Sequence, residues 1–184
     1  AQRAGSYKTC ASGELLSLPI PQLVDRAHGA LVCIWVTNRE RHRRFLEEVM
    51  LPRWGLRLLA EWRWLKLTYP ELHPICDLEV LGCCSTRRPY EPLLLCWSAA
   101  HPSVEPPPDL PASLTIVSAS ERREHSRKPP LERIIGRWHQ PALTGGLELF
   151  ARSLVPNWTS WGDEPLKYQH ESLFEQQPTG EVVS

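Results

Sequence analysis

Several features that identify common protein classes are missing from this 184-residue sequence. No stretch approaches the roughly 20 apolar residues that cross a membrane, and residues 1–13 lack the apolar run of a signal peptide. We therefore expect a soluble, intracellular protein without a membrane partner.

An excess of charge is also missing, because 21 lysine and arginine residues balance 21 aspartate and glutamate residues. Any contact with nucleic acid must then come from a local basic surface. No G-x-G-x-x-G, P-loop, H-E-x-x-H or G-x-S-x-G motif occurs, which removes the commonest nucleotide-binding, protease and hydrolase classes. The six cysteines lack the C-x-x-C spacing of a zinc site, so no metal is expected.

What is present is an alternation of predicted strands and helices, in a chain whose length and 42% hydrophobic content suit a single domain. Residues 30–37 form a continuous apolar run that is typical of a strand buried on both faces. Asn38 can cap the helix that follows, and residues 56–67 predict the next strand. Further strands are predicted at 93–98, 113–118, 147–151 and 158–162, with a helix at 131–139. This order favours an α/β fold with a mostly parallel sheet and helices on both faces.

Ligands of such sheets bind at the carboxyl ends of the strands, where several charged residues are predicted. Lys128 lies beside the start of the 131–139 helix and could hold an anion, and a solvated basic loop is the alternative. Arg152 could bind a carboxylate or pair with a nearby acid. Asp163 and Glu164 could accept both hydroxyls of a ribose. Composition does not choose between these interpretations.

Six of the eight tryptophans fall into two groups. Trp158 and Trp161 flank the predicted ribose site and could meet an adenine ring. For the tryptophans within earlier predicted strands we expect core packing: Trp35, Trp62, Trp64 and Trp97.

Six segments carry a more specific pattern when they are taken in order. They are residues 20–21 (IP), 35–39 (WVTNR), 61–66 (EWRWLK), 88–91 (RPYE), 125–130 (HSRKPP), and 147–152 (LELFAR) continuing through 158–164 (WTSWGDE) to 169–170 (QH). Together they resemble the MT-A70 family of N6-adenine methyltransferases, most closely its methyltransferase-like 4 branch. They extend over nearly the whole chain.

The resemblance implies a Rossmann-like methyltransferase fold with S-adenosylmethionine as the cofactor and no metal. It implies that Lys128 and Arg152 hold the polar ends of the cofactor, and that Asp163 and Glu164 contact its ribose. Asp163 stands where the family usually has asparagine, which removes an amide donor and keeps an acceptor. The residues implied on the substrate side are Tyr7, Trp35, Asn38, Glu61 and Lys66.

One motif of the family does not occur in the sequence. This is Asp-Pro-Pro-Trp, which holds the exocyclic amine and stacks on the target base. We expect residues 1–184 to be the C-terminal part of a single MT-A70-type domain, with that motif upstream of Ala1; real loss of the motif, which would make the protein a pseudoenzyme, is the alternative. We also expect these residues to be inactive alone.

The resemblance points to methyl transfer to the N6 of adenine, with RNA favoured over DNA. The substrate that it implies is the 2′-O-methylated adenosine of a small nuclear RNA, and the location is the nucleus, with the cytoplasm as a second site. A non-catalytic nucleic-acid-binding subunit of a methyltransferase complex is the alternative. Its basic surface would come from two arginine groups: Arg39, Arg41, Arg43 and Arg44, and Arg122, Arg123 and Arg127.

Overall fold

A computed structural model describes residues 11–25, 28–68, 72, 88, 90–99, 101, 103–120, 128–138, 145–170 and 172. The chain divides into two compact units, residues 1–123 and residues 124–184. The single domain expected from the sequence stays a prediction. Over the described ranges, no helix has the length and apolar character needed to cross a membrane.

The first unit contains a four-stranded sheet in the order β1-β3-β2-β4. Its strands are β1 Ala30–Trp35, β2 Arg57–Thr68, β3 Tyr90–Ser98 and β4 Thr115–Ser120. β3 lies between β1 and β2 and is antiparallel to both, whereas β4 is parallel to β2. As a result β1, β2 and β4 run in the same direction and end at the same edge of the sheet.

The mostly parallel sheet is not confirmed in this unit, because β3 reverses the direction of two strand pairs. The reason lies in the burial of β3, whose residues 92–98 are all buried. A strand that is covered on both faces has a continuous apolar run whichever way it points, so its sequence pattern cannot reveal the reversal. The structure shows a mixed α/β arrangement, and the Rossmann-like topology stays a prediction.

The predicted helix after Asn38 is confirmed, and it contains an irregular turn. The cap predicted at Asn38 is wrong, because Arg39 occupies the N-cap position without a side-chain hydrogen bond and the Asn38 amide bonds to the Tyr90 carbonyl instead. It consists of α2 Glu40–Phe45, a π-helical turn Leu46–Met50 and α3 Leu51–Trp54. The π-helical turn ends two residues before Pro52, which lacks an N–H and crowds the carbonyl of the preceding turn. A wider turn accommodates such a proline. Gly55 then ends the helix in a left-handed conformation at φ 65°. Shorter helical segments precede β1, namely a 3₁₀ turn at Glu14–Ser17 and α1 Ile20–Leu23.

The core of the first unit is built from tryptophans and the central strand β3. Trp62, Trp64 and Trp97 are buried, which confirms the core packing predicted for them, and Trp35 is half-buried. Two indole N–H groups reach the proline-rich loop before β4. Trp62 Nε1 donates to the carbonyl of Pro111 at 2.8 Å, and Trp97 Nε1 donates to that of Val104 at 3.0 Å. These bonds hold the loop against the sheet while satisfying buried donors.

The second unit contains a pair of short parallel strands and short helices. Its elements are α4 Glu132–Ile135, β5 Gly146–Leu149, β6 Trp158–Trp161, α5 Asp163–Leu166 and a 3₁₀ turn at Lys167–Gln169. α4 is shorter than the predicted 131–139 helix and ends just before Gly136, whose conformational freedom weakens a helix. Residue 139 lies outside the described residues.

Candidate cofactor and substrate site

The ends of β5 and β6 bring most of the predicted cofactor residues together. The two strands pair in register as far as Leu149 opposite Trp161. Just beyond, the Ala151 N–H donates a hydrogen bond to the Trp161 carbonyl at 3.0 Å. Phe150, which lies between Leu149 and Ala151, has φ 59°, a left-handed conformation that is uncommon for a bulky residue. The chain is therefore redirected sharply as it leaves β5.

Gly162 allows the two strand ends to approach each other closely. A Cβ at this position would lie 2.5 Å from the Ala151 carbonyl oxygen and 2.8 Å from the Ala151 nitrogen. Both are backbone atoms, so neither can rotate away from an added side chain. Arg152 directly follows Ala151 and Asp163 directly follows Gly162, so the two charged residues leave the sheet at neighbouring positions.

The charged groups at this edge have complementary chemistry. Asp163 is exposed, whereas Arg152 and Glu164 are half-buried. The Lys167 ammonium donates to Glu164 Oε1 at 2.6 Å, which orients that carboxylate at the start of α5. Carboxylates accept hydrogen bonds from sugar hydroxyls, and a guanidinium binds a carboxylate through two parallel N–H groups. The edge can therefore bind a ligand that has both kinds of group.

Lys128 belongs to the same unit but lies outside a helix. It is half-buried, and Pro129 and Pro130 separate it from α4, which begins at Glu132. Because α4 has only four residues, its terminus offers a weak field for an anion. Residues 121–127, which complete the basic segment, lie outside the described residues.

The two tryptophans of β6 have different environments. Trp158 is half-buried, and a Cβ on Gly146 would lie 2.7 Å from its ring, so this tryptophan packs over the backbone of β5. Trp161 is 54% exposed and contacts Phe150, which is 51% exposed. Their ring centroids lie 5.4 Å apart at an interplanar angle of 69°. Phe150 was not among the predicted site residues, since its exposure depends on the left-handed turn that no sequence pattern announces.

A half-buried acid lies opposite a buried hydroxyl in the same strand pair. Glu148 of β5 is opposite Ser160 of β6. Burial raises the pKa of Glu148 above its usual range. The Ser160 Oγ is buried and has no hydrogen-bond partner within the described residues. Glu148 and Ser160 therefore lie within the paired part of β5 and β6, and not at the exposed edge where the strands end.

In the first unit, three predicted substrate-side residues lie at the edge where β1 and β2 end. The Trp35 and Trp64 rings meet edge to face with centroids 5.7 Å apart, and Lys66 Nζ lies 5.7 Å from the Trp64 ring. Asn38, just after β1, donates from Nδ2 to the Tyr90 carbonyl at 2.6 Å. This bond joins the end of β1 to the beginning of β3, so Trp35, Asn38 and Lys66 mark one edge of the sheet.

Glu61 projects from the opposite face of β2, because it differs from Trp64 and Lys66 by an odd number of strand positions. Its Oε2 accepts a hydrogen bond from Arg43 Nη2 at 2.5 Å, and its Oε1 lies 3.9 Å from Arg63 Nε. The bond to Glu61 raises the pKa of Arg43 above its ordinary value. The structure therefore shows Glu61 joining α2 to the sheet, away from Trp35 and Lys66.

Comparison with known proteins shows to which family the chain belongs. The MT-A70 family model matches residues 1–164. The chain belongs to the MT-A70 family. It is 35% identical over 184 residues to the N(6)-adenine-specific methyltransferase METTL4 of Mus musculus, covering 94% of this chain and 36% of that protein.

Two further relatives of this MT-A70 chain carry different substrates in their names. The N6-methyladenosine RNA methyltransferase MTA1 of Pyricularia oryzae is 35% identical over 182 residues, covering 93% of this chain and 44% of that protein. A DNA N6-methyl methyltransferase of Caenorhabditis elegans is 34% identical over 160 residues, covering 85% of this chain and 40% of that protein. The chain thus spans about two fifths of the length of these relatives.

Other predicted features of the MT-A70 chain fall partly outside the described residues. Tyr7, the proposed base-contacting residue, lies in the undescribed segment 1–10.

In the part of the chain that the structure describes, no cluster of three or more His, Cys, Asp and Glu side chains could hold a metal ion.

Two of the arginines that would supply the basic surface of a non-catalytic subunit, Arg43 and Arg44 of α2, pair with nearby glutamates. Arg43 Nε lies 2.8 Å from Glu47, in addition to its bond with Glu61. Arg44 Nε lies 3.3 Å from Glu48. These pairs offset the positive charge of Arg43 and Arg44. The second arginine group, Arg122, Arg123 and Arg127, lies outside the described residues.

Proposed function

We propose that the protein containing this chain transfers a methyl group from S-adenosylmethionine to the N6 of adenine in RNA. The observation that supports the proposal is the close approach of Ala151 and Gly162 at the ends of β5 and β6 in an MT-A70 chain, because Arg152 and Asp163 directly follow these two residues. The methyltransferase names of the relatives support the same chemistry.

The residues at this edge fit the functional groups of the proposed cofactor. Asp163 and Glu164 would accept hydrogen bonds from the ribose hydroxyls, and Arg152 would bind the amino-acid carboxylate through its planar guanidinium. Lys128 would add a second positive charge toward the same end of the molecule. The exposed pair of Phe150 and Trp161 offers an apolar surface to a purine ring. When bound, S-adenosylmethionine supplies a methyl group on a positively charged sulfur.

The target adenine is assigned to the residues at the edge of the first unit. Trp35 and Asn38 would border the base, together with Tyr7, and the Lys66 ammonium would contact the polynucleotide. Glu61 would act indirectly, by fixing the positions of Arg43 and Arg63. These side chains would hold the target adenine, and orienting the weakly nucleophilic N6 is the main contribution that a protein makes to such a transfer.

RNA, and in particular the 2′-O-methylated adenosine of a small nuclear RNA, is the proposed substrate. Support comes from the resemblance to the methyltransferase-like 4 branch and from the RNA methyltransferase name of the Pyricularia relative. The Caenorhabditis relative makes DNA the substrate to compare. An RNA of this kind would place the protein in the nucleus.

The test is a methyl-transfer assay with the full-length protein and radiolabelled S-adenosylmethionine. Three oligonucleotides with one adenine each are compared: RNA with adenosine, RNA with 2′-O-methyladenosine, and DNA. We expect the fastest transfer to the 2′-O-methylated RNA, and a strong loss in Asp163→Ala. Asp109→Ala, which removes another exposed acid, is the matched control and should keep full activity. Transfer to DNA alone would contradict the RNA assignment, and no transfer to any oligonucleotide would contradict the reaction.

A further inference from the structure

Two arginines approach the ring of Tyr90 at the beginning of β3. The guanidinium carbon of Arg63 lies 5.1 Å from the ring centroid, and that of Arg88 lies 5.8 Å from it. Arg88 Nη1 also donates a hydrogen bond to the Tyr90 hydroxyl at 2.7 Å. Arg88 is exposed, and the side chain of Arg63 is 53% exposed. We name Arg63, Arg88 and Tyr90 the Tyr90 cluster.

The Tyr90 cluster has positive charge that the nearby acids do not fully offset. Within the described residues, the carboxylate closest to Arg63 belongs to Glu61, at 3.9 Å. Glu61 is held more closely by Arg43, at 2.5 Å, so one carboxylate is shared between two guanidinium groups. Arg88 contacts Tyr90 and has no carboxylate partner in the part of the chain that the structure describes. An anionic ligand would therefore be attracted to this surface.

The cluster lies near the edge where β1 and β2 end, on the face of the sheet that also carries Glu61 and opposite the face of Trp64 and Lys66. On β4, Thr115 lies opposite Arg63 and Val117 lies two residues further along the same face. Both are exposed, with Val117 at 54%. The hydrogen bond from Asn38 to the Tyr90 carbonyl fixes the cluster next to the end of β1. A polymer whose adenine is held at that edge would reach the Tyr90 cluster by passing around the end of the sheet.

We propose that the Tyr90 cluster binds the nucleic-acid strand next to the target adenine. Arg63 and Arg88 would contact phosphate oxygens, and the Tyr90 ring would contact a neighbouring base. The proposal rests on the proposed function, since it assumes a polynucleotide substrate. The planar guanidinium matches phosphate geometry, and aromatic rings accept stacked bases of single strands with little sequence preference. An exposed sheet face with two arginines around one aromatic ring combines these two contacts.

The test is the affinity of the full-length protein for a short labelled single-stranded RNA, measured by fluorescence anisotropy over a salt series. Arg63→Gln and Arg88→Gln should each weaken binding by about threefold to tenfold and lower the salt slope by about 1. Tyr90→Leu should weaken binding by about fivefold or more, whereas Tyr90→Phe keeps the ring and should bind nearly as well as the wild type. Arg57→Gln, on the same strand with a side chain that is 62% exposed, is the matched control and should bind normally.

Binding of S-adenosylhomocysteine, measured on the same variants, separates this proposal from the proposed reaction. We expect it to be unchanged in every variant of the Tyr90 cluster. Wild-type RNA affinity in the cluster variants, or an equal loss in Arg57→Gln, would overturn the proposal. Normal RNA affinity with altered self-association would assign the surface to a protein contact instead. Weakened RNA binding in the cluster variants of a protein that transfers no methyl group would support the surface and contradict only the reaction.

Discussion

Gly162→Ala should damage the site through a single added methyl group. The backbone at Gly162 has φ 169°, which alanine also adopts, so the cost arises from contact rather than from the backbone angle. The new Cβ would lie 2.5 Å from the Ala151 carbonyl oxygen and 3.2 Å from the Phe150 carbonyl carbon. Relief requires the ends of β5 and β6 to move apart, which stretches the hydrogen bond from Ala151 to Trp161.

The expected size of the effect follows from two contributions. Forcing an extra methyl group into a tightly packed site costs about 1–3 kcal/mol. Losing one backbone hydrogen bond adds about 1 kcal/mol, so the total destabilisation is about 2–4 kcal/mol. Affinity for S-adenosylhomocysteine should fall as well, because Asp163 moves with residue 162.

Urea denaturation and calorimetric titration measure the two effects on the same protein. Gly13→Ala is the matched control, since no atom lies within 4 Å of the position its Cβ would take. It changes the unfolded chain in the same way and should alter the stability by less than about 0.5 kcal/mol. If Gly162→Ala were as stable as Gly13→Ala and bound the ligand equally well, the close approach of the strand ends would be refuted.

Two further predictions concern buried groups. Burial raises the pKa of Glu148, so the folded protein binds the carboxyl proton more tightly than the unfolded chain does. The stabilisation from the bound proton is therefore lost as the pH rises through the folded-state pKa. Glu148→Gln should therefore stabilise the protein at about pH 7, and this added stability should vanish below the ordinary glutamate pKa. Thermal melts at several pH values measure it, and an added stability that does not depend on pH would contradict burial of the charge as its cause. Burial raises the pKa of Cys96 to about 12, so alkylation at mildly alkaline pH, followed by mass spectrometry, should modify Cys96 only after unfolding. Rapid native alkylation would show that the strand is more accessible than the structure indicates.

The sequence predicts the positions of the strands better than their directions. The strand predicted at 30–37 is observed at Ala30–Trp35, and the one predicted at 93–98 is part of β3. Apolar runs reveal these segments because burial requires apolar side chains. The reversal of β3 is not encoded in that pattern, since a strand buried on both faces has the same continuous apolar run in either direction.

The arrangement of the candidate site could likewise be predicted from the sequence only in part. The positions of Arg152, Asp163 and Glu164 after two neighbouring strands could be predicted, because both strands are recognisable and the ends of parallel strands meet, whereas their role in cofactor binding stays a prediction. The ion pair between Arg43 and Glu61 could not be predicted, because it joins a helix and a strand whose relative placement depends on tertiary packing. The exposure of Phe150 depends in the same way on one left-handed residue.

A calorimetric titration with S-adenosylhomocysteine tests the cofactor site most directly. The full-length protein is compared with Arg152→Ala, Asp163→Ala and the control Arg133→Ala, whose side chain is 87% exposed in the same unit. Loss of one charge-assisted hydrogen bond of about 1.5–3 kcal/mol should weaken binding by about tenfold to a hundredfold in the first two variants. The control should bind as the wild type does. Equal affinity in all four proteins would contradict the assignment of the β5–β6 edge as the cofactor site.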